Sequence, residues 1–230
     1  MAREKQTDTI ETPVAVPING QSLPGDLGMP ADPQGIVLFA HGSGSSRRSP
    51  RNQYVARTLE HRRLATLLID LLTPEEEAID DRTAEYRFDI PMLAGRLVTI
   101  VDWLGLRKDT ASLPIGLFGA STGGGAALIA AAARPREIAA VVSRGGRPDL
   151  ADAALPKVTT PTLLIVGGFD APVIQMNRDA MKQMRGEVKI EIVPGATHLF
   201  EEPGTLERVA ELAGDWFARH LRPAEATRRG

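Results

Sequence analysis

The sequence predicts an α/β fold: a mostly parallel sheet of eight strands, helices on both faces, and an antiparallel hairpin added at its N-terminal edge. Three observations predict it. Short, unbroken apolar runs recur along the chain: GIVLFA (35–40), ATLLIDLL (65–72), PIGLFG (114–119), IAAVV (138–142) and TLLIVGG (162–168). Strands buried on both faces read this way. Helix-length segments separate the runs, which implies right-handed crossovers between parallel strands. Finally, 230 residues with 43% hydrophobic content suit one such domain.

Taken in order, residues 12–20 alternate with the strand period and end in Asn19-Gly20, a dipeptide suited to the positive φ of a tight hairpin turn. Residues 23–29 are the partner strand, weakened by Pro24 and Gly25. After the first apolar run the chain breaks at His41-Gly42-Ser43-Gly44, and Ser49-Pro50 supplies an N-cap and first position for a helix reaching about His61. The acidic stretch 75–81 lacks a glycine turn or a regular ligand spacing and reads as a solvated loop, not a divalent-cation site. Leu93, Leu97, Ile100, Val101 and Leu104 place an apolar face on a helix of about 89–105. An alanine-rich helix runs to about Ala133, a short helix follows the strand at 138–142, and a further helix lies near 172–184. Strand 188–193 precedes a last helix striped by Leu206, Val209, Ala213, Trp216, Phe217 and Leu221. The expected organisation is a flexible start over 1–11, one domain over 12–222 and a flexible tail over 223–230. Only about twenty residues separate the strand ending at Val142 from the next, so no large cap domain is expected.

Composition narrows the function. A net charge of −2 offers no excess of cations for a phosphate backbone or an anionic leaflet, so neither nucleic acid nor membrane is an expected partner. Without cysteine there is no thiolate nucleophile, disulfide or Cys-held metal. His41, His61, His198 and His220 share no metal-binding spacing, so neither metal nor cofactor is expected. The polar start MAREKQTDTIETP lacks the basic-then-apolar signal pattern, which points to a cytoplasmic protein. The oligomeric state stays open between monomer and homodimer.

Gly119-Ala120-Ser121-Thr122-Gly123 fits G-x-S-x-G between a buried strand and a helix, the context that turns a common pattern into a nucleophile candidate. Small neighbours let the serine oxygen stand clear on a strained turn, at a helix N-terminus whose free N–H groups favour negative charge. The backbone N–H of Thr122 is then the first oxyanion donor. A serine nucleophile needs a base and a carboxylate to orient it. Asp170 follows one buried strand and His198 the next, in the chain order Ser, Asp, His. Asp149 is the rival acid. At the end of the first parallel strand, the Ser43 N–H is the second oxyanion donor and His41 shapes the loop. His61 and His220 lie late in helices, exposed or beside the helix dipole. Arg144 and Arg147, which follow the strand at 138–142, and Arg47 and Arg48 of the oxyanion loop are candidates to pair with an anionic group on a substrate.

These blocks, HGSGSS (41–46), FGASTGGGAA (118–127), GGFDAPV (167–173) and PGATHLFEEPGTLE (194–207), resemble the α/β-hydrolase superfamily in its dienelactone hydrolase-like branch, over nearly the whole chain. The resemblance implies an α/β-hydrolase fold with Ser121, Asp170 and His198 as the triad, and Ser43 with Thr122 at the oxyanion hole. Dienelactone hydrolases themselves are similar in fold but use a cysteine nucleophile and an acid in the oxyanion loop. Ser121 and HGSGSS have neither. The implied activity is therefore cleavage of small carboxylic esters, with lactone, thioester or peptide hydrolysis as alternatives and a non-catalytic ligand-binding homologue as a further one. Members of the branch also occur beside or fused to phosphoribosyltransferase domains, for which 230 residues leave no room.

Overall fold

A computed structural model describes residues 9–222; of the flexible start expected over 1–11, residues 1–8 lie outside the described residues, as does the tail expected over 223–230, while Ile10 and Glu11 begin the first strand. The chain opens with a hairpin of β1 (Ile10–Ile18) and β2 (Gln21–Met29). Asn19 and Gly20 turn it with φ of 45° and 81°, the paired positive values of a type I′ turn. Next come β3 (Gly35–Ala40), α1 (Pro50–His61), β4 (Leu64–Ile69), α2 (Pro74–Thr83), α3 (Ile90–Leu106), β5 (Ile115–Ala120), α4 (Thr122–Ala133) and β6 (Ile138–Arg144). A 3-10 segment over Pro148–Lys157, β7 (Thr162–Gly167), α5 (Ala171–Met181), β8 (Val188–Val193) and α6 (Thr205–His220) complete it.

The sheet order is β1-β2-β4-β3-β5-β6-β7-β8, and all pairs from β4 to β8 are parallel. The hairpin joins through an antiparallel β2–β4 ladder, so β2 is an interior strand despite Pro24 and Gly25. On β3, Ile36, Leu38 and Ala40 face the core under α3 and α4, while Val37 and Phe39 face the core under α1 and α6. Two-sided burial of this kind explains why the central strands are unbroken apolar runs. Between β6 and β7 only the 3-10 segment intervenes, so no large cap covers the C-terminal sheet edge among the described residues.

One expectation is overturned. The acidic stretch 75–81 is helical, forming most of α2, not a solvated loop. A capping box starts the helix: the Thr73 hydroxyl accepts from the Glu76 N–H, and the Glu76 carboxylate accepts from the Thr73 N–H. Pro74 stands at the first helical position, and three glutamates in the first turn favour the dipole. Low apolar content hides this helix from a periodicity reading, whereas its cap was visible in the sequence.

Asp80 ties α2 to the turn before α3. Its carboxylate accepts from the N–H groups of Tyr86 (2.8 Å) and Arg87 (2.9 Å) and from Arg87 Nε (2.6 Å). Burial pushes its pKa up, but the backbone N–H and guanidinium of Arg87 and the Tyr86 N–H outweigh it, holding the carboxyl below its ordinary value.

α4 runs close over the sheet. A Cβ on Gly119 would stand 2.6 Å from the Gly123 oxygen, and one on Gly123 would overlap the Ala40 carbonyl oxygen. Gly95, exposed in α3, meets nothing within 4 Å. Two predictions follow from these packings. Gly123→Ala should forfeit cooperative unfolding or lower Tm sharply, whereas Gly95→Ala should stabilise by about 0.8–1 kcal/mol, raising Tm by roughly 2–4 °C; calorimetry of both checks it. For Asp80, a depressed carboxyl contributes stability that is complete above about pH 4 and lost as pH falls through the lowered value. Asp80→Asn should therefore melt earlier than wild type at pH 7, and the gap should close in acid. A gap constant from pH 7 to pH 3 would contradict the assignment.

Candidate active site

Ser121 joins β5 to α4 with φ 51° and ψ −122°, a conformation that L side chains rarely adopt. Backbone bonds hold it there. Its N–H donates to the Arg144 carbonyl (3.2 Å), and its carbonyl accepts from Gly124 (3.0 Å) and Arg147 (3.0 Å). The strain is thus fixed between β6 and the first turn of α4.

Asp170 follows β7 and caps α5 without a side-chain capping bond. Its Oδ2 lies 2.7 Å from His198 Nδ1 across the gap between two strand ends. The loop carrying His198 is itself braced: the Thr197 hydroxyl and N–H donate to Glu202 at 2.6 and 3.1 Å, and Phe200 is buried at φ 56°. Ser121 and His198 share no hydrogen bond among the described residues; the imidazole's bond is to Asp170. Asp149, the rival acid, is instead in a two-pronged pair with Arg147 at 2.8 and 2.7 Å.

The loop after β3, the candidate oxyanion loop, is anchored by His41. Its Nε2 accepts from the Leu71 N–H at 3.0 Å, so Nδ1 carries the proton and donates to the Gly42 carbonyl. Burial lowers the His41 pKa, and a neutral ring is what this pair of bonds requires. The Ser43 N–H donates to the Thr122 hydroxyl at 2.9 Å. The Thr122 N–H, first in α4, has no acceptor among the described residues. Beside the loop opens a cavity of about 180 Å³, lined by Ser43, Ser46, Leu72, Glu77, Arg87 and Leu93 among others. None of Ser121, Asp170 and His198 lines it.

The four arginines suggested for an anion separate clearly. Arg47 pairs with Asp26 and Asp70, and Arg147 with Asp149, so both forks are taken by the protein itself. Arg48 has no salt bridge among the described residues. Arg144 is buried with no carboxylate. Of the other histidines, His61 is exposed, but His220 is not: it stacks on Trp216 at 4.5 Å, and burial lowers its pKa. Among the described residues no cluster of three or more His, Cys, Asp or Glu could hold a metal, and no helix is long and apolar enough to cross a membrane. Sequence reading misses Arg51 and the Thr122 hydroxyl, because nothing local marks a side chain whose partner lies across the fold, and it misses Glu202, whose bonds to Thr197 close a turn within the His198 loop.

Residues 33–213 match the family model of the alpha/beta hydrolase domain. A dienelactone hydrolase from Anabaena variabilis is 60% identical, with a TM-score of 0.92 over 93% of this chain and 99% of that one. Est1E from Butyrivibrio proteoclasticus shares the fold at 18% identity, with a TM-score of 0.76 over 90% of this chain and 98% of that one. Two Mycobacterium tuberculosis proteins, provisionally named phosphoribosyl transferases, are 55% identical over 219 residues, 95% of this chain. The chain spans 47% of their length, about half. A match across most of the domain, carried by both fold and sequence, places the chain in the α/β hydrolase family, as a dienelactone hydrolase-like member.

Proposed function

We propose that this hydrolase cleaves small carboxylic esters through a serine acyl-enzyme. The observation that carries the reading is the 2.7 Å bond between Asp170 Oδ2 and His198 Nδ1, beside a serine held in a strained strand-to-helix turn. With Nδ1–H donated to Asp170, the free Nε2 lone pair of His198 is the base. Ser121 Oγ attacks the ester carbonyl and its proton passes to His198 Nε2. The carbonyl π pair moves onto oxygen, and the N–H groups of Thr122 and Ser43 receive the negative charge. Collapse expels the alcohol, which takes the proton from His198. Water then repeats the sequence on the acyl-enzyme and frees Ser121.

The oxyanion exchanges partners at Ser43. In the free protein the Thr122 hydroxyl occupies that donor, and a developing oxyanion is the stronger acceptor because it is charged. An open sheet edge favours small, water-accessible esters. Lactone opening is a second reading, favoured by the dienelactone hydrolase name of the 60% identical structure; a lactone is an internal ester and meets the same groups.

Ser121→Ala should lower kcat/KM for p-nitrophenyl acetate by about 10⁴-fold or more, and Asp170→Asn by a similar order through the wrong His198 tautomer. A fluorophosphonate should label wild type at Ser121, as peptide mass spectrometry would show. Wild-type protein that neither labels nor hydrolyses any short-chain ester or lactone would leave the binding-protein alternative standing.

A further inference from the structure

Arg144 ends β6 immediately behind the nucleophile turn, its carbonyl accepting the Ser121 N–H. The next residue, Gly145, packs against the base: a Cβ there would stand 3.6 Å from His198 Cε1. The Arg144 side chain leaves the sheet toward α1 and lies 6.0 Å from the Phe200 ring, under the loop that carries His198. Only 8% of the residue is exposed. Its Nε and Nη1 are sealed from solvent without any partner, and Nη2 has no acceptor among the described residues but is not sealed.

Burial brings the Arg144 pKa down to about 10, still cationic at neutral pH, and Arg51, in the first turn of α1, adds repulsion of the same sign. Arg51 Nη1 is paired with Glu201 at 2.9 Å, while Arg51 Nε is also sealed and unpartnered. Other partly buried arginines all have carboxylates: Arg47 has Asp26 and Asp70, Arg87 has Asp80, Arg96 has Glu76 and Arg147 has Asp149. Burying an ion without a counter-ion costs several kcal/mol. Arg144 is the site's unbalanced charge.

We propose that Arg144, flanked by Arg51, is the recognition point for a carboxylate carried by the ester substrate; this rests on the ester-hydrolase reading above. Charge balance favours a monoanion, since Glu201 already neutralises Arg51 and a single positive charge is left over. Nη2, the guanidinium nitrogen that is not sealed, is the edge a carboxylate can reach, and Nε and Nη1 behind it have no protein acceptor to compete. The cavity beside the loop after β3 disfavours an anion: of its four carboxylates, Asp70 and Asp80 are paired with Arg47 and Arg87, which leaves Glu77 and Asp81 in excess. A substrate with one charged end is thereby oriented, its carboxylate toward β6 and its neutral end toward the oxyanion loop.

Two ester pairs test this, with the charge on the acyl side (mono-p-nitrophenyl succinate against p-nitrophenyl acetate) or on the leaving group (4-acetoxybenzoate against phenyl acetate). In at least one pair wild type should favour the charged ester, and Arg144→Met should lower the charged-to-neutral ratio of kcat/KM by about 30-fold, mainly through KM. Arg51→Gln should lower it less. The same ratio in wild type and Arg144→Met for both pairs would overturn the proposal. A second readout is independent of turnover. Succinate should raise the Tm of Ser121→Ala and leave that of Ser121→Ala/Arg144→Met unmoved, whereas a shift with inorganic phosphate alone would overturn the carboxylate assignment, and no difference between the two proteins would overturn the subsite. If wild type cleaves no ester, the proposed function fails while this second readout still decides the subsite. Arg144→Met removes no protein partner, so it should melt no earlier than wild type; Arg144→Lys, which keeps the charge but not the fork, should retain part of the preference.

Discussion

The closeness of α4 to the sheet is the constraint on which the rest of the site depends. Glycines at 119 and 123 allow the helix backbone to touch the ends of β3 and β5, where any Cβ would collide with backbone atoms. A helix that begins this near the sheet leaves no room for a relaxed turn, so Ser121 is driven to positive φ. The same crowding brings the first residue of α4 within reach of the loop after β3, as the bond from the Ser43 N–H to the Thr122 hydroxyl shows. Nucleophile candidate, helix N-terminus and oxyanion loop are therefore one packing event, and its cost is carried by the two cores on either side of the sheet.

Electrostatics around this point are uneven in an informative way. Asp80 and Asp70 are neutralised by Arg87 and Arg47 and serve to hold loops. Arg144 is the exception, a cation sealed between an aromatic ring and another arginine. Packing alone gives no reason for it, because a methionine or leucine would fill the space without desolvating a charge. Its place next to the His198 loop makes function the better explanation.

Much of the fold was legible because the sheet is buried on both faces. GIVLFA, IAAVV and TLLIVGG fall on β3, β6 and β7 with few boundary shifts, since a strand between two cores must be apolar throughout. Ser121, Asp170 and His198 were legible as candidates for a topological reason: they follow the parallel strands β5, β7 and β8, whose C-terminal ends share one sheet edge. What escaped was of two kinds. α2 is held by a capping box and by Arg96, which bonds Glu76 from α3, so its stability is polar and leaves no apolar stripe. The fates of Arg47 and Arg144 looked alike in sequence, because whether an arginine finds a carboxylate depends on residues such as Asp26 or Asp70 that only the tertiary structure brings near.

The Thr122 hydroxyl bears on how such a site survives without substrate. A backbone N–H aimed at an empty, partly buried position would be left without an acceptor, a cost of about 1–3 kcal/mol. Thr122 removes that cost by accepting the Ser43 N–H, and as a β-branched residue it has few rotamers in which to do so. The donor stays aligned without being locked away, because a neutral hydroxyl gives way to a charged oxygen. On the proposed mechanism, selectivity for the transition state follows: a ground-state carbonyl gains little by displacing one neutral acceptor with another, whereas an oxyanion gains the difference between a neutral and a charge-assisted bond.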